Sequence, residues 1–484
     1  MKQLGGIDAS FLYMETAETP MHVGGLTLFE LPEGYQGVFY ETFKEHIVRR
    51  MHLAPILGKK LAPMPFEFDH PLWVEEHELD LGYHIRHATL PKPGTMEQLE
   101  DIVGRLHSNA LDRSRPLWQF YVIDGLADGH VAVYSKMHHA AVDGGAGMEI
   151  TKAIYDVTPV PREVAPPPPR PRAAATQIDL ANMLGAAYTS MLRQQIRTIQ
   201  AIPDVMKAVA NLTLPNPDTL KPGRFGLPPL ISPRTFLNAT ITSQRGFAAR
   251  SVPLSDAKQI AKLTGTKLNE VVLAVCSAAL RRFLQDGHQL PDQSLTAFVP
   301  VSLRAPGNTD SNNQVFGMIC SLASDIADPL KRLAAILESS TQGKQLTGSI
   351  KDAVPRDFSM LWAPLLLQGL IGLYGRSRLA DQVPPAANVT VSNVPGPQAP
   401  LYLAGARLLT LYPVSIPTHG LALNITVQSY CGSLDFGFTA CRRTVPDVAK
   451  LADYHVEALA ELKAAALSSG GDEAAAPRQT KGAA

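Results

Sequence analysis

Cysteine is scarce in this chain. Cys276, Cys320, Cys431 and Cys441 are the only four in 484 residues, and they form no CxxC pair and no even spacing. Neither a disulfide framework nor a zinc knuckle is indicated, so a reducing cytosol is the expected compartment. Charge is also low, at 18% of residues, and 44 Lys+Arg balance 44 Asp+Glu. A net charge of zero supplies no field to draw in a polyanion, which excludes nucleic acid as the expected partner and suits work near an apolar phase. Long apolar runs are missing too. The most apolar stretch, Met360 to Tyr374, contains Pro364 and Gln368 and is shorter than the ~18 to 20 residues that span a bilayer. The N-terminus has no uninterrupted apolar h-region or small-residue cleavage site, so neither export nor a spanning helix is expected.

What is present is core-forming material. Apolar residues make up 45% of the chain, which excludes global disorder and suggests roughly three units, or two large ones with connecting material, at about 150 residues per domain. Composition changes at residues 158–172, TPVPREVAPPPPRPR, where proline removes backbone donors and holds an extended path. A helix is expected from Ile178 to Leu212, then a second breaker-rich stretch from Pro215 to Arg234. The chain therefore divides into a first domain over 1–160, a Pro-rich and helical crossover over 161–234, a second domain over 235–466, and a tail over 467–484 that is expected to be disordered.

Both flanking halves mix strand and helix signals. Leu117 to Asp124 and His130 to His139 are β-rich runs separated by the turn Gly125 to Gly129 and read as an antiparallel pair. Leu254 to Asp286 gives two helical segments broken at Gly265, and Leu295 to Leu303 reads as a strand. Gly420 to Ala440 reads as a hairpin turning at Cys431-Gly432-Ser433. The expected class is mixed α/β, repeated in two halves.

The sharpest local feature is HHAAVDGGAG, residues 138–147, between a strand and a helical run. Strand alternation is expected to send His138 and His139 to opposite faces, which disfavours a shared metal site. An imidazole with an ordinary pKa near ~6.5 can take a proton from a hydroxyl at neutral pH, so one of the two is a candidate general base. Asp143 and the glycines after it, Gly144 first, fit a helix start where a carboxylate caps N–H groups and glycine permits close approach. On its own the tandem pair reads more often as ordinary surface or core histidine than as a catalytic one. Zinc would need further ligands, and neither HExxH nor a cysteine cluster exists; a GxSxG nucleophile is absent as well.

HHAAVDG matches the HHxxxDG motif of CoA-dependent acyltransferases with a chloramphenicol-acetyltransferase-like fold, a superfamily that includes condensation domains. Further segments resemble the bacterial wax ester synthase/diacylglycerol acyltransferase family: residues 9–30, RPLWQFYVIDGL at 115–126, NEVVLAV at 269–275, PVSLR at 300–304, NNQVFGM at 312–318 and SNVPGP at 392–397. The resemblance covers about residues 5–462. It implies a pseudo-dimer of two such domains with a tunnel between them, acyl-CoA entering from one side and the acceptor, a long-chain alcohol or diacylglycerol, from the other. It also implies that His139 is the general base, with His138 supporting it. Asp143 would orient the loop through an ion pair with an arginine, and no cofactor beyond the co-substrate acyl-CoA is expected. Asn269 would lie near the site, and Pro116, Trp118 and SNVPGP would shape the domain interface and tunnel, or be plain core and turn residues. Glu270 departs from the family's usual Asn-Asp. A cytoplasmic protein partly peripheral to the inner membrane or lipid inclusions is expected, with the Met360 to Tyr374 stretch lining the tunnel, lying on such a surface or forming a buried core helix. Two alternatives share the scaffold. One is a condensation-type or polyketide-associated enzyme using a carrier-protein thioester, against which the linker and wider motif set argue. The other is a non-catalytic lipid-inclusion protein, against which the intact motif weighs.

Overall fold

The computed structural model describes residues 2–62, 70–142, 144–167, 232–287, 289–302, 315–351, 373–375 and 377–475. Asp143, the expected helix at 178–212 and most of the Met360 to Tyr374 stretch lie outside them.

The first half contributes strands β1 (Lys2–Gln3), β2 (His22–Glu30), β3 (Lys59–Ala62), β4 (Leu72–Glu75), β5 (Ile85–Thr89), β6 (Trp118–Asp124) and β7 (Val131–His138). Its helices are α1 (Gly6–Met14), α2 (Phe39–Arg50), α3 (Leu81–His84), α4 (Met96–His107) and α5 (Gly144–Ile154). The second half contributes β8 (Arg245–Pro253), β9 (Thr296–Ser302), β10 (Val315–Ser321), β11 (Val389–Val394), β12 (Tyr402–Leu403), β13 (Ala406–Val414), β14 (Leu423–Tyr430) and β15 (Ser433–Cys441). Its helices are α6 (Leu254–Thr264), α7 (Leu268–Asp286), α8 (Pro329–Lys351) and α9 (Val448–Ala475).

Two six-stranded sheets organise the molecule, in the orders β12-β13-β2-β7-β6-β5 and β10-β9-β11-β14-β15-β8, beside a small sheet β1-β4-β3. The expected β6/β7 pair is antiparallel, with Trp118 opposite Met137. Alternation along it sorts the core: Trp118, Phe120, Val122, Val131 and Val133 join Phe39, Phe43 and Ile47 of α2, whereas Tyr121, Ile123, Ala132 and Tyr134 join Leu99 and Val103 of α4. The break between α6 and α7 falls at Gly265, at φ +65°, a left-handed helix end that glycine adopts without a Cβ penalty. The β14/β15 hairpin turns on Cys431 and Gly432, both at positive φ, and Ser433 already pairs with Tyr430 in the ladder.

The two halves are interleaved. β13, from beyond residue 400, pairs antiparallel with β2 and so completes the sheet of the first half. Helix α4 seals the opposite contact through one stripe at i, i+4 and i+8. Glu100 accepts the Ala249 N–H at 2.8 Å, Gly104 lets the β8 main chain approach, and Ser108 Oγ accepts the Arg245 N–H at 2.9 Å. These are outward N–H groups of an edge strand, and α4 supplies the acceptors they need. A Cβ on Gly104 would stand 2.8 Å from the Arg245 carbonyl oxygen.

The C-terminal end of α4 gathers polar side chains, of which His22 and Lys136 are buried. Ser108 Oγ donates to Gly104 O, Asn109 Nδ2 to Arg105 O, Lys136 Nζ to Leu106 O, and His22 Nε2 to His107 O. The last carbonyls of a helix lack a full set of partners within it, and here side chains add a donor to four in succession, beside the Ser108 N–H that reaches Gly104 O and Arg105 O. Lys136 is 1% exposed, and burial lowers its pKa to about 8.

α9 runs on to Ala475 with Ala466 fully buried, so the helix extends beyond the expected end of the second domain at 466. Alanine-rich sequence continues a helix already anchored by its packed face, even where apolar periodicity fades.

Candidate active site

The motif sits where β7 ends. Alternation carries Ala132, Tyr134, Lys136 and His138 onto the face toward the second half, and the strand stops at His138. The next residue is not on the strand: a 3-10 turn over His139–Ala141 swings it away. The histidines therefore diverge as expected, but the turn and not strand alternation aims His139.

His138 is fully buried, and its two ring nitrogens have different settings. Nδ1 accepts the Ala140 N–H at 3.1 Å, capping the turn, so Nδ1 carries no proton and the neutral ring is protonated at Nε2. Nε2 lies 3.2 Å from Glu15 Oε2, in a bent contact and not an aligned hydrogen bond. The His138 N–H donates to Leu117 O at 3.0 Å.

The surroundings of His139 are different. Its ring stacks on Phe11 at 3.8 Å between centroids and 12° between planes, and its N–H donates to Met21 O at 2.8 Å. Nδ1 is buried and has no hydrogen-bond partner among the described residues, which leaves Nε2 as the nitrogen able to meet a substrate. Burial, its own carbonyl pulling the other way, and the neighbouring His138 bring its pKa down to about 4. The imidazole is neutral, and its lone pair is available, throughout the neutral range.

Glu15, at the end of α1, escaped the sequence reading. It is 7% exposed; Oε2 accepts the Met21 N–H at 2.9 Å and Oε1 accepts Arg113 Nε at 2.9 Å. Burial raises its pKa, but contact with His138, then Arg113 and the Met21 N–H, outweigh that and hold it at about 2. Only its place inside the family-like segment 9–30 pointed toward it.

The other expected residues have distinct settings. Pro116 is buried, and its carbonyl accepts the Trp118 N–H at 2.9 Å. Trp118 is 2% exposed, stacks on His84 at 4.3 Å and donates Nε1–H to Leu57 O at 2.8 Å, all within the sheet core. Leu117 is the member of PLW that meets the motif, holding His138 by its carbonyl and packing with Ala140, Leu12 and Tyr13. Gly144 opens α5. Asn269 is half-buried in the first turn of α7. Its neighbour Glu270 points instead to α8, accepting from Ser340 Oγ at 2.9 Å and Lys344 Nζ at 2.7 Å. The glutamate thus joins two helices of the second half. In SNVPGP, Gly396 is required by packing, since a Cβ there would meet Ser429 O at 2.1 Å.

Comparison with known proteins shows the family. The wax ester synthase/diacylglycerol acyltransferase catalytic domain matches residues 4–272, and the C-terminal domain of the same family matches 311–463. A putative diacylglycerol O-acyltransferase of Mycobacterium tuberculosis is 38% identical over 95% of this chain and 99% of its own. O-acyltransferase WSD of Acinetobacter baylyi is 35% identical over 93% and 94%. The solved wax ester synthase/diacylglycerol acyltransferase of Marinobacter aquaeolei VT8 superposes with a TM-score of 0.68 at 31% identity, covering 96% of this chain and 100% of that one. The first condensation domain of the calcium-dependent antibiotic synthetase, at 15% identity and a TM-score of 0.53, shares the fold. With both family domains matched in order and relatives at 35–38% identity over nearly the whole chain, the chain belongs to the wax ester synthase/diacylglycerol acyltransferase family, an O-acyltransferase family.

Proposed function

We propose that this protein transfers a long-chain acyl group from acyl-CoA to the hydroxyl of a fatty alcohol or diacylglycerol, with His139 as general base. His139 Nε2 takes the hydroxyl proton, the oxygen attacks the thioester carbonyl, the C–S bond breaks as the C–O bond forms, and the proton passes to the departing sulfur. No acyl-enzyme is needed. The observation that carries this reading is the setting of His139: a half-buried, neutral imidazole held flat on Phe11 with Nδ1 enclosed, which leaves Nε2 to meet the substrate. Its low pKa makes the imidazolium a ready donor to the departing thiolate and the imidazole a weaker base toward the hydroxyl. A tunnel between the halves would hold the alkyl chains, each buried CH₂ adding ~0.8 kcal/mol.

No metal takes part in this reaction. His138 Nδ1 is occupied by the Ala140 N–H and His139 is turned away, so the pair does not form half of a ligand set. The protein is cytoplasmic, with a fraction on membranes or lipid inclusions. Zero net charge supports this, as does the exposure of Leu373 (58%) at the end of the apolar stretch. Among the described residues no single helix is long and apolar enough to cross a membrane, and the bent pair α6/α7 that passes by length and composition is core to the second half.

The test is incubation of purified protein with labelled palmitoyl-CoA and a choice of hexadecanol or dioleoylglycerol, followed by product separation. Labelled wax ester or triacylglycerol is expected. Turnover only with an acyl-carrier protein as donor would replace acyl-CoA in this reading, and no ester with either donor would refute it.

A further inference from the structure

Glu15 reaches both motif histidines by separate routes. Its carboxylate faces the ring of His138 directly, at 3.2 Å from Nε2. It also accepts the Met21 N–H, and the carbonyl of that same Met21 accepts the His139 N–H at 2.8 Å. Phe11, on the preceding turn of α1, supplies the surface on which His139 lies. Arg113 locks the arrangement from outside, through Glu15 Oε1 and the Leu12 carbonyl. α1 and the turn after it therefore grip the motif from the side opposite β7.

The protonation of His138 decides whether that grip is productive. The Ala140 N–H points at Nδ1, so the turn that aims His139 is capped only while Nδ1 carries no proton. A proton moved to Nδ1, or a second one added there, would set two N–H groups against each other, that of Nδ1 and that of Ala140. A carboxylate facing Nε2 favours the proton on that nitrogen, leaving Nδ1 free to accept.

We propose that Glu15 is a positioning residue for acyl transfer: it keeps His138 in the Nε2–H tautomer and, through that ring and through Met21, holds His139 in its working orientation. The proposal rests on the reading of His139 as the base. An amide cannot replace the carboxylate, because both oxygens of Glu15 accept, Oε2 from the Met21 N–H and Oε1 from Arg113, and the NH₂ of glutamine would face one of these donors. A plain structural role is the competing explanation, in which Glu15 and Arg113 only tie down the end of α1.

Histidine-labelled full-length protein separates the two. Ring ¹⁵N and ¹³Cδ2 shifts report the tautomer, and loss of one signal set in His138→Gln assigns it. At pH 7 the parent is expected to show His138 as Nε2–H, and an Nδ1–H or doubly protonated ring there would overturn the proposal without any variant. In Glu15→Gln the signal should move toward Nδ1–H, while kcat falls ~10- to 100-fold as expected for a misplaced base and KM for palmitoyl-CoA changes by less than about threefold, since acyl-CoA binding is untouched. Glu15→Asp should recover part of the kcat. Arg113→Gln should leave the tautomer in place and cost less turnover than Glu15→Gln. An unmoved tautomer with parental kcat in folded Glu15→Gln, or an equal loss in Arg113→Gln, would reduce Glu15 to a structural anchor. The shifts need no turnover, so this proposal fails independently of the assignment of His139, which fails if His139→Ala turns over normally.

Discussion

The imidazole of His139 lies flat on the ring of Phe11, 3.8 Å away and 12° from parallel, so a residue of the first helix fixes the direction of a side chain more than a hundred residues later. Stacked aromatic pairs contribute roughly 0.5–1.5 kcal/mol beyond area burial. Phe11→Leu keeps the apolar volume but loses the flat support, and a fall in kcat of up to about tenfold is expected if that energy serves positioning. Steady-state kinetics beside a thermal melt check this; an unchanged kcat would show that the turn alone orients His139.

Acid sensitivity follows from buried neutral histidines. Burial lowers the pKa of His107 and His455 to about 3 and that of His139 to about 4, and it lowers His22 as well. In the unfolded chain these rings protonate near pH 6.5, so below that pH the unfolded state binds more protons than the folded state. Each ring then removes about 1.4 kcal/mol of stability per pH unit, until the pH passes its folded pKa. The loss begins below pH 6.5 and continues toward pH 4. Urea unfolding at pH 7, 6 and 5 should give steadily falling midpoints, and equal midpoints at pH 7 and 5 would contradict these settings.

The seam between the halves offers a stability test remote from the chemistry. Glu100 accepts from the Ala249 N–H and from Arg250 NH1, each at 2.8 Å, across that seam. Glu100→Ala leaves a buried N–H without a partner and removes the counter-charge of a half-buried guanidinium, at a cost of about 2–4 kcal/mol. Gly104→Ala should also destabilise, because its methyl would press on the Arg245 carbonyl. Melting temperatures lowered by several degrees for both are expected; parental values would mean the seam is softer than drawn.

Activity should survive excess EDTA, because His138 Nδ1 is already engaged and cannot join His139 in holding a metal. Loss of ester formation in chelator, restored specifically by zinc, would overturn the general-base account.

Much of the local structure was legible in the sequence because its signals are short-range. The β6/β7 pair follows from alternation, the α6/α7 break from Gly265, and the hairpin turn from Cys431-Gly432. The motif histidines were legible through HHxxxDG itself. What escaped depends on contacts with no local trace. Nothing in Ala406–Val414 announces a strand of the first sheet, since its partner β2 lies in the other half. Glu15 has the same difficulty: a single acidic residue at a helix end is ordinary until the fold brings His138 against it. The direction of His139 was expected from alternation, which ceases to apply where the strand ends and the 3-10 turn begins.

The central claim is that His139 carries the proton, and single-turnover ester formation by folded His139→Ala, measured beside His138→Ala and the parent, tests it most directly. A positioned base contributes ~10² to 10⁴-fold, so His139→Ala should keep its fold and its acyl-CoA binding while losing that much of the rate, and His138→Ala should lose less rate and more stability. Near-parental ester formation by folded His139→Ala would end this mechanism, and the reverse ranking would move the base to His138.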